Sequence, residues 1–253
     1  MSGKGFTHLH LHSQYSLLDG AIDFGNLLNC CKQLQMDAVA VTDHGNMFGA
    51  VEFYTKALKA HIKPILGIEA YVAPRSRFDR TKSSITDAAF HLVLLAENNT
   101  GYKNLLKISS AGYLEGFYYR PRIDKELLAE LNEGLICTSA CLKGEITSLL
   151  ARGDQNGAAS AAQGYAKIFG PERFFIEIQN HEDDDPHIRQ ALIDLAQKMS
   201  LPLVATNDVH FLAEDDYEAH NCLCCISTGK MADDPGRMIY PKDIFILPGS
   251  SAI

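Results

Sequence analysis

The sequence predicts an α/β fold in which seven β-strands close into a β/α barrel. Its 253 residues, with 46% hydrophobic and 21% charged side chains, fit one large globular domain. Short β-rich runs alternate with longer amphipathic runs along most of the chain, which is typical of a parallel sheet with crossover helices. Seven strands in this alternation favour a closed barrel, and an open doubly wound sheet is the alternative.

Each predicted strand is an apolar or alternating run bounded by turn residues. In order, the strands cover residues 6–12, 38–42, 63–73, 90–98, 134–140, 174–180 and 202–208. Amphipathic runs predict helices over residues 22–36, 48–61, 100–114, 143–152, 158–169, 186–199 and 214–227. The alternation ends near residue 232. We therefore assign residues 1–232 to the domain and residues 233–253 to a peripheral tail or the start of a further part of the protein.

Composition excludes several classes of protein. No apolar run approaches the roughly 18 to 20 residues that cross a bilayer, and the first residues lack the apolar core of a signal peptide, so we expect no membrane partner. The seven cysteines are an odd and scattered set, which favours a reduced cytoplasmic protein over a disulfide scaffold. The net charge of −8 argues against nucleic-acid binding through bulk electrostatics, but three bound divalent cations would offset most of it.

Three histidines at alternate positions of the first strand are the strongest sign of chemistry. His8, His10 and His12 project to one face of that strand. Imidazoles placed side by side make a preformed half of a transition-metal site. A solvent-exposed histidine face is the alternative interpretation of the same spacing.

Two further strands end in metal-type residues, at the edge where a β/α barrel carries its active site. Asp43 and His44 close the second strand in TDHG, a weak motif because Asp and Gly are common in turns. Asp208 and His210 close the seventh strand, and their spacing puts two ligand types on one face. We rank this pair second to the triple histidine.

Three more residues have both a metal-binding and a structural interpretation. Glu69 lies in an apolar strand, where an ionised carboxylate needs a metal or a salt-bridge partner. His91 opens the fourth strand, which fits the barrel-rim rule poorly, and is equally consistent with a core histidine. Cys141 follows the fifth strand and is either a thiolate ligand or a small buried side chain.

Most of the predicted strands thus supply a His, Asp, Glu or Cys at or near one end, and this convergence is the functional signal. The set is too large for one tetrahedral zinc ion, so we predict a multinuclear metal site. Clustered divalent cations suit phosphoester hydrolysis, because they activate water and neutralise charge on phosphoryl oxygens.

Six segments of the sequence resemble the PHP (polymerase and histidinol phosphatase) family, over most of residues 5–240. The segments are HLHLHSQYSLLDG, AVTDHGNMFGAVEFY, KPILGIEAYVA, FHLVLLAENNTGYKNL, YLEGFYYRPRID and VATNDVHF. Among them, SQYSLLDG, NMFGAVEFY and YLEGFYYRPRID are similar to the version that begins the alpha subunit of bacterial replicative DNA polymerases. The resemblance implies a distorted seven-stranded β/α barrel with a trinuclear zinc or manganese site at the C-terminal rim of its strands.

The nine metal ligands of this family fall on nine residues of the sequence, each of a suitable type: His10, His12, Asp19, His44, Glu69, His91, Cys141, Asp208 and His210. The resemblance implies that His10, His12, Asp208 and His210 take part in catalysis. We expect His8 and Asp43 to orient these ligands from behind. Arg75 and Arg77, in the loop after the third strand, are candidates for binding a backbone phosphate.

The resemblance implies a metal-dependent phosphodiesterase that removes nucleotides from a DNA 3′ end in support of a polymerase in the bacterial cytoplasm. Its implied partners are the remainder of the alpha subunit and, through the holoenzyme, the proofreading exonuclease subunit and the sliding clamp. Two alternatives stay open. One is a free-standing histidinol-phosphatase-like phosphomonoesterase, and the other is a non-catalytic docking module for the polymerase and its proofreading subunit, in which the metals serve stability.

Overall fold

The computed structural model describes residues 6–81, 89–181 and 186–246, with a curled β-sheet at the centre. The described strands are β1 (Ala38–Val41), β2 (Lys63–Val72), β3 (Phe90–Ala96), β4 (Phe117–Tyr118), β5 (Arg120–Ile123), β6 (Leu135–Thr138), β7 (Phe174–Ile178) and β8 (Leu203–Ala205). The described helices are α1 (Phe24–Gln33), α2 (Ala50–Lys59), α3 (Asn99–Leu114), α4 (Lys125–Leu131), α5 (Glu145–Ala151), α6 (Gln155–Phe169), α7 (Pro186–Met199) and α8 (Tyr217–Thr228).

The sheet is mixed. Its strand order is β4-β5-β2-β3-β6-β7-β8, and β1 pairs with the first half of β2. Strands β6, β7 and β8 are parallel to one another, and β1 and β5 are parallel to β2. Strand β3 is antiparallel to both of its neighbours, β2 and β6. Strands β4 and β5 form a short hairpin that lies outside the seven predicted strands.

The first predicted strand is an extended segment that lies between β1 and the residues that follow β8. The backbone N–H of Thr42, at the end of β1, donates to the carbonyl of Leu11. On the other side, the N–H of His12 donates to the carbonyl of Val209, beyond β8, and the N–H of Val209 donates to the carbonyl of His10. The segment forms only an isolated bridge, between Leu11 and Val209, but its hydrogen bonds curl the sheet towards a barrel.

The direction of β3 corrects the prediction of an all-parallel sheet. A parallel neighbour requires a crossover connection, usually a helix, whereas an antiparallel neighbour does not. Strand β3 runs back along β2, so His91 at its beginning pairs with Tyr71 near the end of β2. An antiparallel strand begins at the rim where the parallel strands end. His91 therefore lies at the rim where the parallel strands end, although it opens its own strand. Its position in the sequence alone fits that rim poorly.

The helices pack against the sheet and fix the positions of the strand ends. Asp23 and Asn98 cap α1 and α3, because their side chains accept hydrogen bonds from first-turn backbone N–H groups. Helices α3 to α7 pack with β2, β3, β6 and β7 in one buried apolar cluster. Helices α1 and α2 pack with β1 in a second cluster that includes Leu11 and Val209. Close packing of this kind holds the segments that carry the site in fixed positions.

The described part of the predicted tail lies against the segment that follows β8. The N–H of His210 donates to the carbonyl of Ile244, and the side-chain amide of Asn207 donates to the carbonyls of Asp243 and Phe245. Ile244 is buried. Residues 247–253 lie outside the described residues. Among the described helices, none is both long and apolar enough to cross a membrane.

Candidate metal centre

The structure brings all nine predicted ligand side chains to one rim of the curled sheet. They come from separate parts of the chain: the segment before β1, the loops after β1, β6 and β8, strand β2 and the beginning of β3. His10, His12, Glu69 and His210 are completely or almost completely buried. Of the remaining five, His91 is buried, and four are partly buried: Asp19, His44, Cys141 and Asp208.

Glu69 stands at the centre of the group. Its Oε2 lies 2.6 Å from Nδ1 of His44, and its Oε1 lies 2.8 Å from Nδ1 of His91. Nε2 of His10 is 3.3 Å from the same Oε1. The thiol of Cys141 completes this side of the group, with its Sγ 3.6 Å from Glu69 Oε1 and 3.7 Å from His91 Nδ1. Nε2 of His12 lies 3.5 Å from Oε2, so this one carboxylate faces five other predicted ligands.

Asp208 and Asp19 connect the other histidines. Oδ1 of Asp208 lies 3.1 Å from Nε2 of His10 and 3.1 Å from Nε2 of His12. Oδ2 of Asp19 lies 3.0 Å from Nε2 of His44, and its Oδ1 lies 3.9 Å from Nε2 of His210. Each carboxylate thus bridges two imidazoles, as ligands shared between neighbouring cations do.

The chemistry of these donors fits bound divalent cations. Seven ligand atoms are buried yet have no hydrogen bond within the described residues, which is costly unless another partner is supplied. They are Nε2 of His10, His12 and His210, Nδ1 of His44, Oε2 of Glu69, and Oδ1 of Asp19 and Asp208. Three groupings bring three of the predicted ligands close enough to share an ion: His12–His44–His210, His10–His12–Asp208 and His44–Glu69–His91. Imidazole and carboxylate are ligands that zinc and manganese accept.

The electrostatics of the ligands depend on their mutual proximity. Burial lowers the pKa of His12 and of His210 to about 4, and a neighbouring histidine acts in the same direction in each case. Burial alone would also lower the pKa of His10, but the carboxylates of Asp208, Glu177 and Glu69 outweigh it and raise that pKa well above its usual value. A cation that binds at His10 would therefore have to displace a proton.

Further side chains fix the orientation of the histidines. Nδ1 of His10 lies 2.7 Å from Oε1 of Glu177. Nδ1 of His12 lies 2.9 Å from the hydroxyl of Ser16, which donates to Asp43. Asp43 also accepts hydrogen bonds from the backbone and side chain of Ser13. This arrangement supports the orienting role predicted for Asp43. His8 is fully buried with its ring edge-on to Phe6, and its predicted role stays a prediction.

Left-handed backbone conformations place several of the ligands. Leu18 has φ 59° immediately before Asp19, Ala140 has φ 60° immediately before Cys141, and Asp208 itself has φ 44°. Non-glycine residues adopt this region at a cost, and such residues cluster at functional sites. Gly45, after His44, has φ 64°, and a Cβ there would lie 2.7 Å from Cγ of Pro121. The chain bends sharply at these points to turn ligands towards the centre.

Sequence reasoning missed three residues of this site. Glu177 carried the same signal as Glu69, a carboxylate in an apolar strand, and was overlooked. The sequence predicts that three histidines, His61, His187 and His220, lie on the surface. For His220 this prediction is wrong: the side chain is buried and its Nε2 lies 2.8 Å from the backbone carbonyl of Asp19. Tyr240, in the predicted tail, packs its ring 4.7 Å from that of His210. The other two predicted surface histidines, His61 and His187, are exposed.

The two arginines proposed for phosphate binding differ in their surroundings. Arg77 is only 13% exposed and forms ion pairs with Glu115 and Asp124. Arg75 is 72% exposed and pairs with Asp79. Arg77 is thus occupied by two carboxylates, and phosphate binding by Arg75 stays a prediction.

The chain is similar in sequence to a known domain family and to longer bacterial proteins. The model of the PHP domain family matches residues 8–181. DNA polymerase III subunit alpha of Treponema pallidum is 47% identical over 99% of this chain and 22% of its own length. The subunit of the same name from Thermus aquaticus is 47% identical over 95% of this chain and 20% of its own length. The chain therefore spans about a fifth of the length of these relatives.

One solved structure has the same fold. A protein of Bifidobacterium adolescentis inferred to be a metal-dependent phosphoesterase superposes with a TM-score of 0.51 at 13% identity, over 81% of this chain and 87% of its own. That likeness concerns the fold alone. The family match covers more than half of the chain, including seven of the nine predicted ligands, and the structure brings all nine ligands to one rim. The chain belongs to the PHP domain family.

Proposed function

We propose that the chain is the PHP domain of a bacterial replicative DNA polymerase, and that it hydrolyses phosphodiester bonds at the 3′ end of DNA with bound divalent metal ions. The curated relatives support the first half, because they carry the name DNA polymerase III subunit alpha. The site supports the second half. A centre of this composition suits up to three ions, of zinc, manganese or both.

The proposal depends above all on the seven buried ligand atoms, ring nitrogens and carboxylate oxygens, that lack hydrogen bonds within the described residues. A core built only for stability satisfies its polar groups, since an unsatisfied buried group costs about 1–3 kcal/mol. Seven such atoms directed at one another are costly unless cations bind between them. Their position beside an open cleft adds access for a substrate.

Bound divalent cations would supply an activated water and positive charge for the phosphoryl oxygens, which are what phosphodiester hydrolysis requires. The residues of the chain hold the geometry. Glu69 and Asp208 each lie close to two or more histidines, so they fix the positions of these side chains relative to one another. Glu177 holds the ring of His10 directly, and Asp43 holds the ring of His12 through the hydroxyl of Ser16. These contacts at Nδ1 favour the tautomer that leaves the other ring nitrogen free to bind.

The polymerase context remains part of the proposal. In it, residues 1–232 form the phosphoesterase domain, and the later residues lead towards the polymerase body. The remainder of the alpha subunit would be the direct partner, with the proofreading exonuclease subunit and the sliding clamp reached through the holoenzyme. Hydrolysis at a 3′ end would then serve the removal of misincorporated nucleotides.

The test is release of the 3′-terminal nucleotide from a single-stranded DNA oligomer by the purified chain. Zinc or manganese is added in separate reactions, and a chelator control accompanies each. We expect metal-dependent release that the chelator stops and that is lost in His10→Ala and Asp208→Ala. The matched control is Glu172→Ala, which removes an exposed carboxylate just before β7 that is not among the predicted ligands. Full activity of the two ligand variants, with correct folding, would show that the site is assigned wrongly.

Two other results would favour the alternatives. Turnover of a phosphomonoester such as histidinol phosphate, with no action on DNA, would identify a phosphomonoesterase. No hydrolysis of either substrate by protein of verified metal content would support a docking module in which the metals serve stability.

A further inference from the structure

A cleft of about 750 Å³ opens beside the metal centre. Three of the predicted ligands, Asp19, His44 and His91, form part of its wall. The rest of the wall comes from elements distant in sequence, including β5, α5 and the segment after α8. A substrate that reaches the cations must therefore lie against these elements.

Three cations line this cleft: Arg120, Lys143 and Arg152. All three are exposed, and none forms an ion pair within the part of the chain that the structure describes. Outside the cleft, Arg77 and Lys125 each pair with a carboxylate, whereas Lys107 is exposed and, like the cleft cations, has no ion pair among the described residues. The chain as a whole has a net charge of −8, so the positive charge of this cleft is local and is not visible in the overall composition.

Two of these cations flank the metal centre across aromatic rings. The guanidinium of Arg120 lies 5.7 Å from the ring centroid of Tyr71, whose ring is 5.9 Å from that of His44. The ammonium of Lys143 lies 5.8 Å from the ring centroid of Tyr240. Each cation is thus one aromatic ring away from a ligand histidine, Tyr240 being packed against His210. Arg120 and Lys143 thus lie near the predicted metal site, and neither is one of its predicted ligands.

Arg152 extends the positive charge to the end of α5. Its Nε donates a 3.0 Å hydrogen bond to the carbonyl of Ser148, and the residue forms part of the cleft wall. A single phosphate bound at the metal centre would not need charges on three separate elements. A polymer with successive phosphates would engage them in turn, because every residue of its backbone carries a negative charge.

We infer that Arg120, Lys143 and Arg152 form a phosphate-binding track, which receives the backbone of a single-stranded nucleic acid and leads its end to the metal centre. The inference rests on the proposed function and deepens it by naming the residues that hold the backbone of the substrate. Track residues bind phosphates and not bases, so binding through them is independent of base sequence.

The test is binding of a 5′-fluorescein-labelled oligothymidine with phosphorothioate linkages at its 3′ end, which slow hydrolysis during the measurement. Fluorescence anisotropy gives Kd for the metal-loaded chain at several salt concentrations. We expect Arg120→Gln, Lys143→Gln and Arg152→Gln each to raise Kd by about two- to tenfold, the range for loss of one hydrogen bond. Each should also lower the slope of log Kd against log salt by about 0.7. Lys107→Gln, an exposed cation on α3 outside the cleft, is the matched control.

Metal content and circular dichroism of each variant exclude loss of the centre or of folding as the cause. Weaker oligonucleotide binding in the track variants, with an unchanged control, supports the track even if the wild type cleaves nothing, in which case only the proposed hydrolysis fails. Wild-type affinity in all three variants overturns the track, even if the wild type hydrolyses DNA. An equal loss of affinity for thymidine 5′-monophosphate also overturns it, because that result indicates a site for a single phosphate.

Discussion

Oε1 of Glu177 lies 2.7 Å from Nδ1 of His10, and both side chains are fully buried. The carboxylate also accepts hydrogen bonds from the hydroxyls of Thr138 and Thr206 and from the side-chain amide of Gln179. An imidazole that donates from Nδ1 to a fixed carboxylate presents Nε2 as a lone pair. Glu177 therefore sets the tautomer and the direction of a predicted metal ligand without being a ligand itself.

Replacing Glu177 by Gln should weaken metal binding about 10- to 100-fold, the usual effect of losing a residue that orients a ligand. The amide keeps the shape of the side chain but removes the charge that makes the imidazole basic. Competition with a chromophoric chelator measures the metal Kd, and Glu172→Gln, at an exposed position, is the control. Equal metal affinity in Glu177→Gln and the wild type would mean that His10 is held by other contacts.

Metal loading should release protons, and Cys141 should supply one of them. Burial, together with the charges of Glu69 and Asp208, raises the pKa of the Cys141 thiol well above its usual value, so the thiol is protonated at neutral pH. A cysteine binds metal as thiolate. Calorimetric zinc titrations in two buffers of different ionisation enthalpy should therefore give about one proton fewer for Cys141→Ser than for the wild type.

Cys222→Ser is the control for this comparison, because Cys222 is exposed and is not among the predicted ligands. Its proton release should equal that of the wild type. If Cys141→Ser also releases as many protons as the wild type, the thiol is not a ligand. The site would then be restricted to nitrogen and oxygen donors.

Removal of metal should destabilise the chain. A ligand present at a thousand times its Kd stabilises the folded state by about 4 kcal/mol. For a domain of this size each 1 kcal/mol shifts Tm by about 2–4 °C, so chelation should lower Tm by on the order of 10 °C. Calorimetry with and without chelator measures the shift. Asp208→Ala should show a smaller shift, because Asp208 faces both His10 and His12. An unchanged Tm for the chelated wild type would contradict stabilisation by metal.

The sequence singled out nine residues that the structure brings to one rim, because most of them are His, Asp, Glu or Cys near strand ends; that they bind metal stays a prediction. It failed on direction, which no local pattern encodes. His91 opens its strand, and only the antiparallel pairing of β3 with β2 brings that beginning to the rim. Pairing direction is decided by which strands become neighbours, and that depends on the whole sheet.

The missed residues have physical explanations as well. His220 lies in the helical run of α8, and its burial depends on contact with Asp19, about two hundred residues away. Tyr240 lies in a run with no regular periodicity, which gave no indication that it packs against His210. Contacts between distant segments of this kind leave no signal in a local window of sequence.

Two helical glycines predict opposite effects of the same substitution. A Cβ at Gly101 in α3 would lie 1.8 Å from the carbonyl oxygen of Gly134, just before β6, whereas nothing lies within 4 Å of a Cβ at Gly164 in α6. Gly101→Ala should lower the free energy of unfolding by about 1–3 kcal/mol, because backbone must move to relieve the overlap. Gly164→Ala should raise it by up to about 1 kcal/mol, because alanine restricts the unfolded chain and favours helix.

Urea unfolding at fixed metal concentration measures both variants against the wild type. Helix α3 packs in the same apolar cluster as β2 and β3, which carry Glu69 and His91, so the strain at Gly101 should also reach the site. Metal Kd should accordingly rise in Gly101→Ala and stay unchanged in Gly164→Ala. Changes in stability of the same sign in both variants would show that the approach of α3 to the turn before β6 is not as close as described. If Gly101→Ala is destabilised with unchanged metal affinity, the site is mechanically independent of this contact.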